Sequence, residues 1–327
     1  MLCVGTIGVG MMGQRHCEAF QKCSVVDGVR ILCLPRSHHK ADQIAARCSK
    51  VLSVEEDPDH FFHSDITAVD ICTPTDSHAH YVREAIRARK AILCEKPLAL
   101  SSRECRDLVE EASLAGLPFM VAQVLRFWPE YNYLTSTLEG GSLGKLRSMS
   151  MVRYSSQPNW SNWFSELPKS GGALFDLHVH DIDCVRYLLG EPNRLSSVGH
   201  KRDDLAYTDV HSTLQFENGV YATAYASYEF PRAMPFRMGY RALFERGYID
   251  NDTWRQPTLR HYGEMKEQPV DLRDLPSGYE AECDYFARCV VEGKPPALST
   301  AESASKTIYL LECISESADQ FGKWVDV

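Results

Sequence analysis

The sequence predicts an α/β chain in two parts: a doubly wound parallel sheet first, then an α+β domain with a large, mostly antiparallel, open-faced sheet. Three observations predict it. An apolar run, Leu2 to Ile7, feeds directly into Gly8-x-Gly10-x-x-Gly13, the order of strand, tight turn and helix. Strand-like and helix-like segments then alternate through the first third, which specifies a parallel sheet covered on both faces. Near Gln123 to Pro129 that rhythm stops, and longer strand-like runs follow.

In order, the candidate strands of the first part are Leu2 to Ile7, Val29 to Leu34, Ala68 to Cys72, Ala91 to Cys94 and Pro118 to Val124. Each is a short apolar run of the kind that strands buried on both faces require. Helices fit between them: Gln14 to Lys22, Ser77 to Arg89 and Ser101 to Ala115. In the second part Leu146 to Tyr154, Val210 to Phe216 and Tyr221 to Tyr228 read as longer strands, and Glu217-Asn218-Gly219 is a hairpin signal. Tyr279 to Glu292 and Ala301 to Phe321 read as helices separated by Gly293-Lys294-Pro295-Pro296. A chain of 327 residues exceeds what one core usually serves, so two domains are expected, 1–122 and 123–327.

Composition narrows the class. Hydrophobic residues make up 44% and charged residues 24%, the values of an ordinary globular protein. A net charge of -9 argues against nucleic-acid and anionic-membrane surfaces. No apolar run reaches the roughly 18 residues of a membrane span, and the basic lead of a signal peptide is missing, so a cytoplasmic protein is expected. The 12 cysteines form no Cys-x-x-Cys pair, and Cys3, Cys33, Cys72 and Cys94 sit in apolar runs as small hydrophobes. Neither disulfides nor a metal site is expected.

The glycine turn carries the first chemistry. In a dinucleotide-binding βαβ unit the first glycine makes the turn, the second lets the backbone approach the pyrophosphate, and the third lets helix and strand pack closely. Gly8, Gly10 and Gly13, with Met11 and Met12 between them, stand in those places, and the following helix would aim its N–H groups at phosphate. Glu95-Lys96-Pro97 closes another strand at the carboxyl edge, where such sheets bind ligands. The Lys96–Pro97 bond is a candidate for cis geometry.

A second constellation lies in Gly171-Gly172-Ala173-Leu174-Phe175-Asp176-Leu177-His178-Val179-His180-Asp181-Ile182-Asp183. Plotted at about 100° per residue, Asp176, His180 and Asp183 fall within about 60° of one another. Leu174, Leu177, Val185, Leu188 and Leu189 lie roughly opposite. A carboxylate one turn from an imidazole can orient it and stabilise its protonated form; a solvated helix face is the plain alternative. His178 lies toward the apolar side and reads as a packed or hydrogen-bonded core histidine. A His178/His180 metal pair is disfavoured because i, i+2 side chains diverge on a helix.

Together Gly8-x-Gly10-x-x-Gly13, Cys72-Thr73-Pro74-x-x-x-His78, Glu95-Lys96-Pro97 and Gly171-Gly172-x-Leu174-x-Asp176-x-x-x-His180-x-x-Asp183 resemble, in order and spacing, the Gfo/Idh/MocA oxidoreductases, which include glucose-fructose oxidoreductase and myo-inositol dehydrogenase. The resemblance runs over essentially the whole chain and implies a Rossmann domain followed by a substrate-binding and oligomerisation domain. It implies Lys96, Asp176 and His180 as catalytic residues, and Thr73, Pro74, His78 and Glu95, beside Lys96 itself, as the nicotinamide-side segment. Free histidine titrates near pH 6.5 and free lysine near 10.4. The expected division of labour is therefore His180 as acid/base, Asp176 as its orienter and cationic Lys96 polarising the reacting oxygen.

An NAD site usually carries an acid about 20 residues beyond the glycine turn. Here Leu34-Pro35-Arg36-Ser37-His38-His39-Lys40 occupies that place and no acid appears until Asp42. Arg36 and Ser37 could hold a 2′-phosphate, so NADP(H) is expected in preference to NAD(H). Arg126, in the segment entering the second domain, and Trp160 and Trp163, in the loop before the catalytic helix, are candidate substrate contacts. The resemblance implies sugars, inositols or related polyols as substrates. A dehydrogenase or reductase is the leading class. A redox-assisted glycosidase or epimerase that keeps its nicotinamide bound is the alternative, and a non-catalytic nucleotide-binding regulator a third. Tyr221, Thr223 and Tyr225 alternate along one side of a strand whose sheet needs cover on its outer face, which predicts a homodimer or homotetramer.

Overall fold

The computed structural model describes residues 1–159 and 162–327. The chain forms two compact units, 1–128 with 276–306, and 129–275 with 307–327.

The first unit opens with β1 (Cys3–Ile7), α1 (Met11–Lys22), β2 (Gly28–Leu32), α2 (His38–Ala45), β3 (Val51–Glu55), α3 (Pro58–Phe62), β4 (Ala68–Ile71), α4 (His78–Arg87), β5 (Ala91–Glu95), α5 (Ser102–Leu114) and β6 (Phe119–Ala122). The strands pair in parallel in the order β3-β2-β1-β4-β5-β6. Every residue of β1, β4, β5 and β6 is buried, as a sheet covered on both faces demands. The chain reverses direction across the sheet between β1 and β4, so the ligand crevice of such folds opens at their carboxyl ends. β3 is not among the expected strands. It is the sheet edge, its Leu52 is exposed, and Ser53 and Glu55 interrupt the apolar signal.

The second unit begins with α6 (Pro129–Gly140), β7 (Leu146–Tyr154) and α7 (Leu167–Ser170). A π-helical turn, Leu174–His178, then runs into α8 (Val179–Leu189). Strands β8 (Arg194–Arg202), β9 (Ala206–Gln215), β10 (Tyr221–Ser227), β11 (Arg237–Phe244), β12 (Gly247–Asp252), β13 (Leu259–Gly263) and β14 (Glu267–Val270) follow. The hairpin at Gly219 (φ +79°) pairs Gln215 with Tyr221. β7 and β10 run parallel and the other pairs antiparallel. Ala222, Ala224 and Ala226 on β10 and Met149 and Met151 on β7 are buried on one face, while Tyr221, Thr223 and Tyr225 point to the other.

The chain then returns to the first unit through α9 (Gly278–Glu292). A capping box starts this helix: Ser277 Oγ accepts the Glu280 N–H and the Glu280 carboxylate accepts the Ser277 N–H. Phe286, Ala287 and Cys283 of α9 join Phe20, Cys17 and Val4 in one core. Burying a side chain the size of Phe286 stabilises by about 1.5–3 kcal/mol. The expected domain boundary at 122/123 therefore misses this return segment. α10 (Ala301–Asp319) follows, the division between the units falling at Lys306, and β15 (Val325–Asp326) adds the last strand, giving the order β14-β13-β12-β11-β7-β10-β9-β8-β15.

Candidate functional site

The three glycines do three different jobs. Gly8 has φ +100°, and a Cβ there would lie 2.7 Å from the Cys72 carbonyl oxygen. A Cβ on Gly13 would sit 2.0 Å from the Gly8 carbonyl oxygen, so only glycine lets α1 close onto the turn. A Cβ on Gly10 would meet no atom of the described residues within 4 Å. That open space sits at the start of α1, where Met11 is exposed, Met12 half-buried and no acid occupies the first turn. Free helix N–H groups beside open space accept an anion, and the residues present fit a dinucleotide pyrophosphate.

The neighbouring strand ends build the rest of this edge. After β4, Ser77 Oγ lies 2.8 Å from both Thr73 Oγ1 and the Pro74 carbonyl oxygen; its single O–H can donate to the carbonyl while it accepts from the Thr73 hydroxyl. His78 is buried, its Nε2 2.8 Å from the Thr73 carbonyl and its Nδ1 3.0 Å from the Pro97 carbonyl. Burial holds its pKa below the ordinary value; a neutral imidazole has one N–H and donates to one of these carbonyls at a time. His78 thus ties the Thr73-Pro74 turn to the segment after β5. There Glu95 is buried, its Oε2 accepts the Lys96 N–H at 3.0 Å, and the Lys96–Pro97 peptide is cis. Lys96 itself is half-buried. At the end of β2, Arg36 lies exposed and Ser37 half-buried in the turn Pro35–Ser37.

Beneath the glycine turn is a buried polar cluster that sequence reasoning missed. His16 Nδ1 bonds Asp70 Oδ1 at 2.8 Å, and its Nε2 lies 3.3 Å from Glu95 Oε1. Thr6 Oγ1 donates to the other Asp70 oxygen at 3.1 Å, and Cys72 Sγ lies 3.4 Å from both His16 Nδ1 and Asp70 Oδ1. The signal is a histidine in the buried stripe Gly13, His16, Cys17, Phe20 of α1, matched by an acid inside the apolar run Ala68–Ile71.

In the second unit, Asp176 lies in the π turn and His180 in the first turn of α8, both half-buried. Asp176 Oδ2 accepts a hydrogen bond from the Tyr228 hydroxyl. Tyr228 is buried at the end of β10, and burial with the adjacent Asp176 pushes its phenol pKa well up, so it stays a donor. It continues the inward phase of Ala222, Ala224 and Ala226, which made it findable. His178 is fully buried, bonds Ser212 Oγ at 2.8 Å, and has its pKa pushed down to about 3 by burial and by His211.

The polar stripe expected from a regular helix needs correction. Asp183 is buried and accepts from Thr307 Oγ1 at 2.9 Å, whereas Asp176 bonds Tyr228 on the sheet. A π turn takes more residues per revolution than an α turn, so the 100° projection loses register between Asp176 and Asp183. Arg126, expected against substrate, is buried and donates to the Leu298 carbonyl at 2.8 Å and to Ser303 Oγ at 2.9 Å, bonds that fasten the chain entering α10. Trp163 is half-buried with its ring edge-on to Phe164. Trp160 lies outside the described residues.

A parallel sheet in the order 3-2-1-4-5-6 with a three-glycine turn at the switch point defines a dinucleotide-binding protein. Residues 2–123 match the oxidoreductase family with an NAD-binding Rossmann fold, GFO_IDH_MocA, and residues 131–250 match the GFO/IDH/MocA C-terminal domain. The chain belongs to the GFO/IDH/MocA family. It is 28% identical over 239 residues to the 2,7-anhydro-N-acetylneuraminate hydratase of Escherichia coli, covering 68% of this chain and 61% of that protein. It is 30% identical over 225 residues to inositol 2-dehydrogenase 2 of Saccharopolyspora erythraea, covering 66% and 64%. It thus matches under two thirds of the length of each of these two relatives. The 4-carboxy-2-hydroxymuconate-6-semialdehyde dehydrogenase of Sphingobium is 26% identical over 310 residues, with 91% and 93% covered. Levoglucosan dehydrogenase in complex with NADH and levoglucosan shares the fold, with TM-score 0.86, 22% identity and 100% and 99% coverage. No described helix is long and apolar enough to cross a membrane.

Proposed function

We propose that this chain is an NADP(H)-dependent oxidoreductase that exchanges a hydride with a secondary alcohol or ketone of a sugar, inositol or related polyol. The observation that carries the reading is the placement of Lys96, at the end of β5, on the same carboxyl edge of the first sheet as the glycine turn with its open space over Gly10. The nicotinamide, when bound, supplies the hydride chemistry. Gly8, Gly10, Met11, Met12 and Gly13 receive the pyrophosphate, while Thr73, Pro74, His78 and Glu95 shape the nicotinamide side. Lys96 polarises the reacting oxygen, His180 exchanges its proton, and Asp176 orients His180. Trp163 is the aromatic substrate contact in this reading.

NADP(H) preference rests on Arg36, exposed where an NAD site would present an acid. The uncovered outer face of the second sheet, with Tyr221 half-exposed, supports a homodimer or homotetramer. All twelve cysteines are buried thiols, which suits a reducing, cytoplasmic setting.

A screen of NADP+ and NADPH against polyols, aldoses and keto-sugars, with fluorescence titration of both cofactor pairs, tests the reading. Turnover with at least one member and tighter NADPH binding that is lost in Arg36→Ala are expected. Absence of any nucleotide binding overturns the function, and equal affinities overturn the preference. A second reading, a bound nicotinamide cycling without net consumption, is favoured by the similarity to a protein named as a hydratase. Substrate conversion with no net change in nicotinamide absorbance would select it.

A further inference from the structure

The buried cluster under the glycine turn joins the two cofactor-side motifs. His16 projects from α1, three residues after Gly13, and is completely buried. Its two ring nitrogens face acids from two strands: Asp70 of β4 through a 2.8 Å hydrogen bond, and Glu95 at the end of β5 at 3.3 Å. The second oxygen of Glu95 accepts the Lys96 N–H. The second oxygen of Asp70 is held by Thr6 of β1. Hydrogen bonds therefore join β1 and β4 to α1. From there His16 Nε2, which makes no hydrogen bond among the described residues, lies at an ion-pair distance of 3.3 Å from Glu95, which holds the backbone of Lys96.

We propose that His16 is a positioning residue: as an imidazolium bridging Asp70 and Glu95, it fixes the Glu95-Lys96-Pro97 segment against the glycine turn. The inference rests on the reading of Lys96 as a catalytic residue. A neutral ring has one N–H, whereas the cation carries an N–H on each nitrogen, one bonded to Asp70 and one at ion-pair distance from Glu95. The charged and titratable groups around His16 include Cys17 on its own helix, Asp70 and Cys72 from β4 and the residue after it, Glu95 from β5, and Tyr279, Glu282 and Cys283 from α9. Burial opposes a charge on His16, yet the adjacent Asp70, by proximity and through its hydrogen bond, acts to raise its pKa above the ordinary value. Glu282 is fully buried, neither carboxyl oxygen has a hydrogen-bond partner, and burial pushes its pKa well up. With burial pushing Glu282 toward its neutral form, the His16 ring is left facing the carboxyl groups of Asp70 and Glu95. His16 Nδ1, Asp70 and Cys72 Sγ also lie within 4.8 Å of one another, a grouping that could hold a metal ion. The 2.8 Å separation of nitrogen and oxygen is instead that of a direct hydrogen bond.

Nitrogen-15 NMR of the histidine-labelled protein, with the His16 signal assigned by its loss in His16→Asn and its shift in Glu95→Gln comparison spectra, reads the charge directly. Both ring nitrogens are expected to be protonated at pH 8, where an ordinary histidine near 6.5 is neutral. A neutral ring at pH 8, or stoichiometric zinc in the purified protein, overturns the proposal. In turnover assays His16→Asn, which keeps a donor toward Asp70 and loses the reach to Glu95, should lower kcat about tenfold while nucleotide KM changes less than about threefold. Glu95→Gln should lower kcat similarly and lower the His16 pKa, and it serves where His16→Asn does not fold. Unchanged kcat in both variants overturns the positioning role. Lys96→Ala with full turnover would instead sink the reading of Lys96, leaving the NMR result to stand by itself.

Discussion

The Tyr228 hydroxyl donates a hydrogen bond to Asp176 Oδ2, joining the end of a sheet strand to the π turn that precedes His180. This gives the acid a fixed neighbour supplied by the sheet and lets it present its other oxygen elsewhere. Removing one hydrogen bond to a charged group costs about 1.5–3 kcal/mol. Tyr228→Phe should therefore lower kcat by roughly ten- to hundredfold with nucleotide affinity unchanged, measured by steady-state kinetics and fluorescence titration. Wild-type kcat in the variant would remove Tyr228 from the account of Asp176.

Gly10→Ala and Gly13→Ala should fail in opposite ways. The first adds a methyl group into open space, so thermal unfolding should stay near wild type while nucleotide Kd rises at least tenfold. The second drives a methyl group to 2.0 Å from the Gly8 carbonyl oxygen, so it should unfold more easily whether or not nucleotide is present. Calorimetry and titration on both variants separate the two roles.

His180→Ala and Lys96→Ala are expected to lose 10²- to 10⁴-fold in turnover, about 3–5 kcal/mol of barrier. Nucleotide Kd should move less than about threefold, because neither side chain is assigned to the phosphates. Loss of binding without loss of single-turnover rate would reverse the assignment.

His178 gives a pH prediction with a definite sign. Its folded pKa of about 3 lies below the unfolded value near 6.5, so between these limits the unfolded chain binds the extra proton. Stability should fall as pH drops from about 6.5 toward 3, with a slope of up to about 1.4 kcal/mol per pH unit from this residue. His178→Gln should flatten that limb in urea melts at several pH values, with activity per folded molecule little changed. An unaltered acid limb would count against the buried neutral ring as its source.

Much of this was legible because a few residue types have few alternatives. Gly8 and Gly13 announced the turn by positions no side chain can occupy, and the apolar runs ending in Cys72 and Cys94 announced buried parallel strands. The edge strand Val51–Glu55 was hidden because one-sided exposure erases the apolar run. The face of Asp183 was misread because a π turn changes the angular step, and nothing in Leu174–His178 marks that turn locally. His16, Asp70 and Glu95 sit far apart in sequence, so their meeting is a product of strand order and not of spacing.

The core that holds Phe20 also contains Phe286 and Ala287, which the chain reaches only after the whole of β14. On the ribosome, residues 1–128 are expected to keep an apolar surface wet until α9 emerges, a state that exposes this half to chaperone binding. A chain truncated before Pro276 should be insoluble, whereas a gene rearranged to translate 276–306 ahead of Met1 would let the nucleotide-binding half mature early.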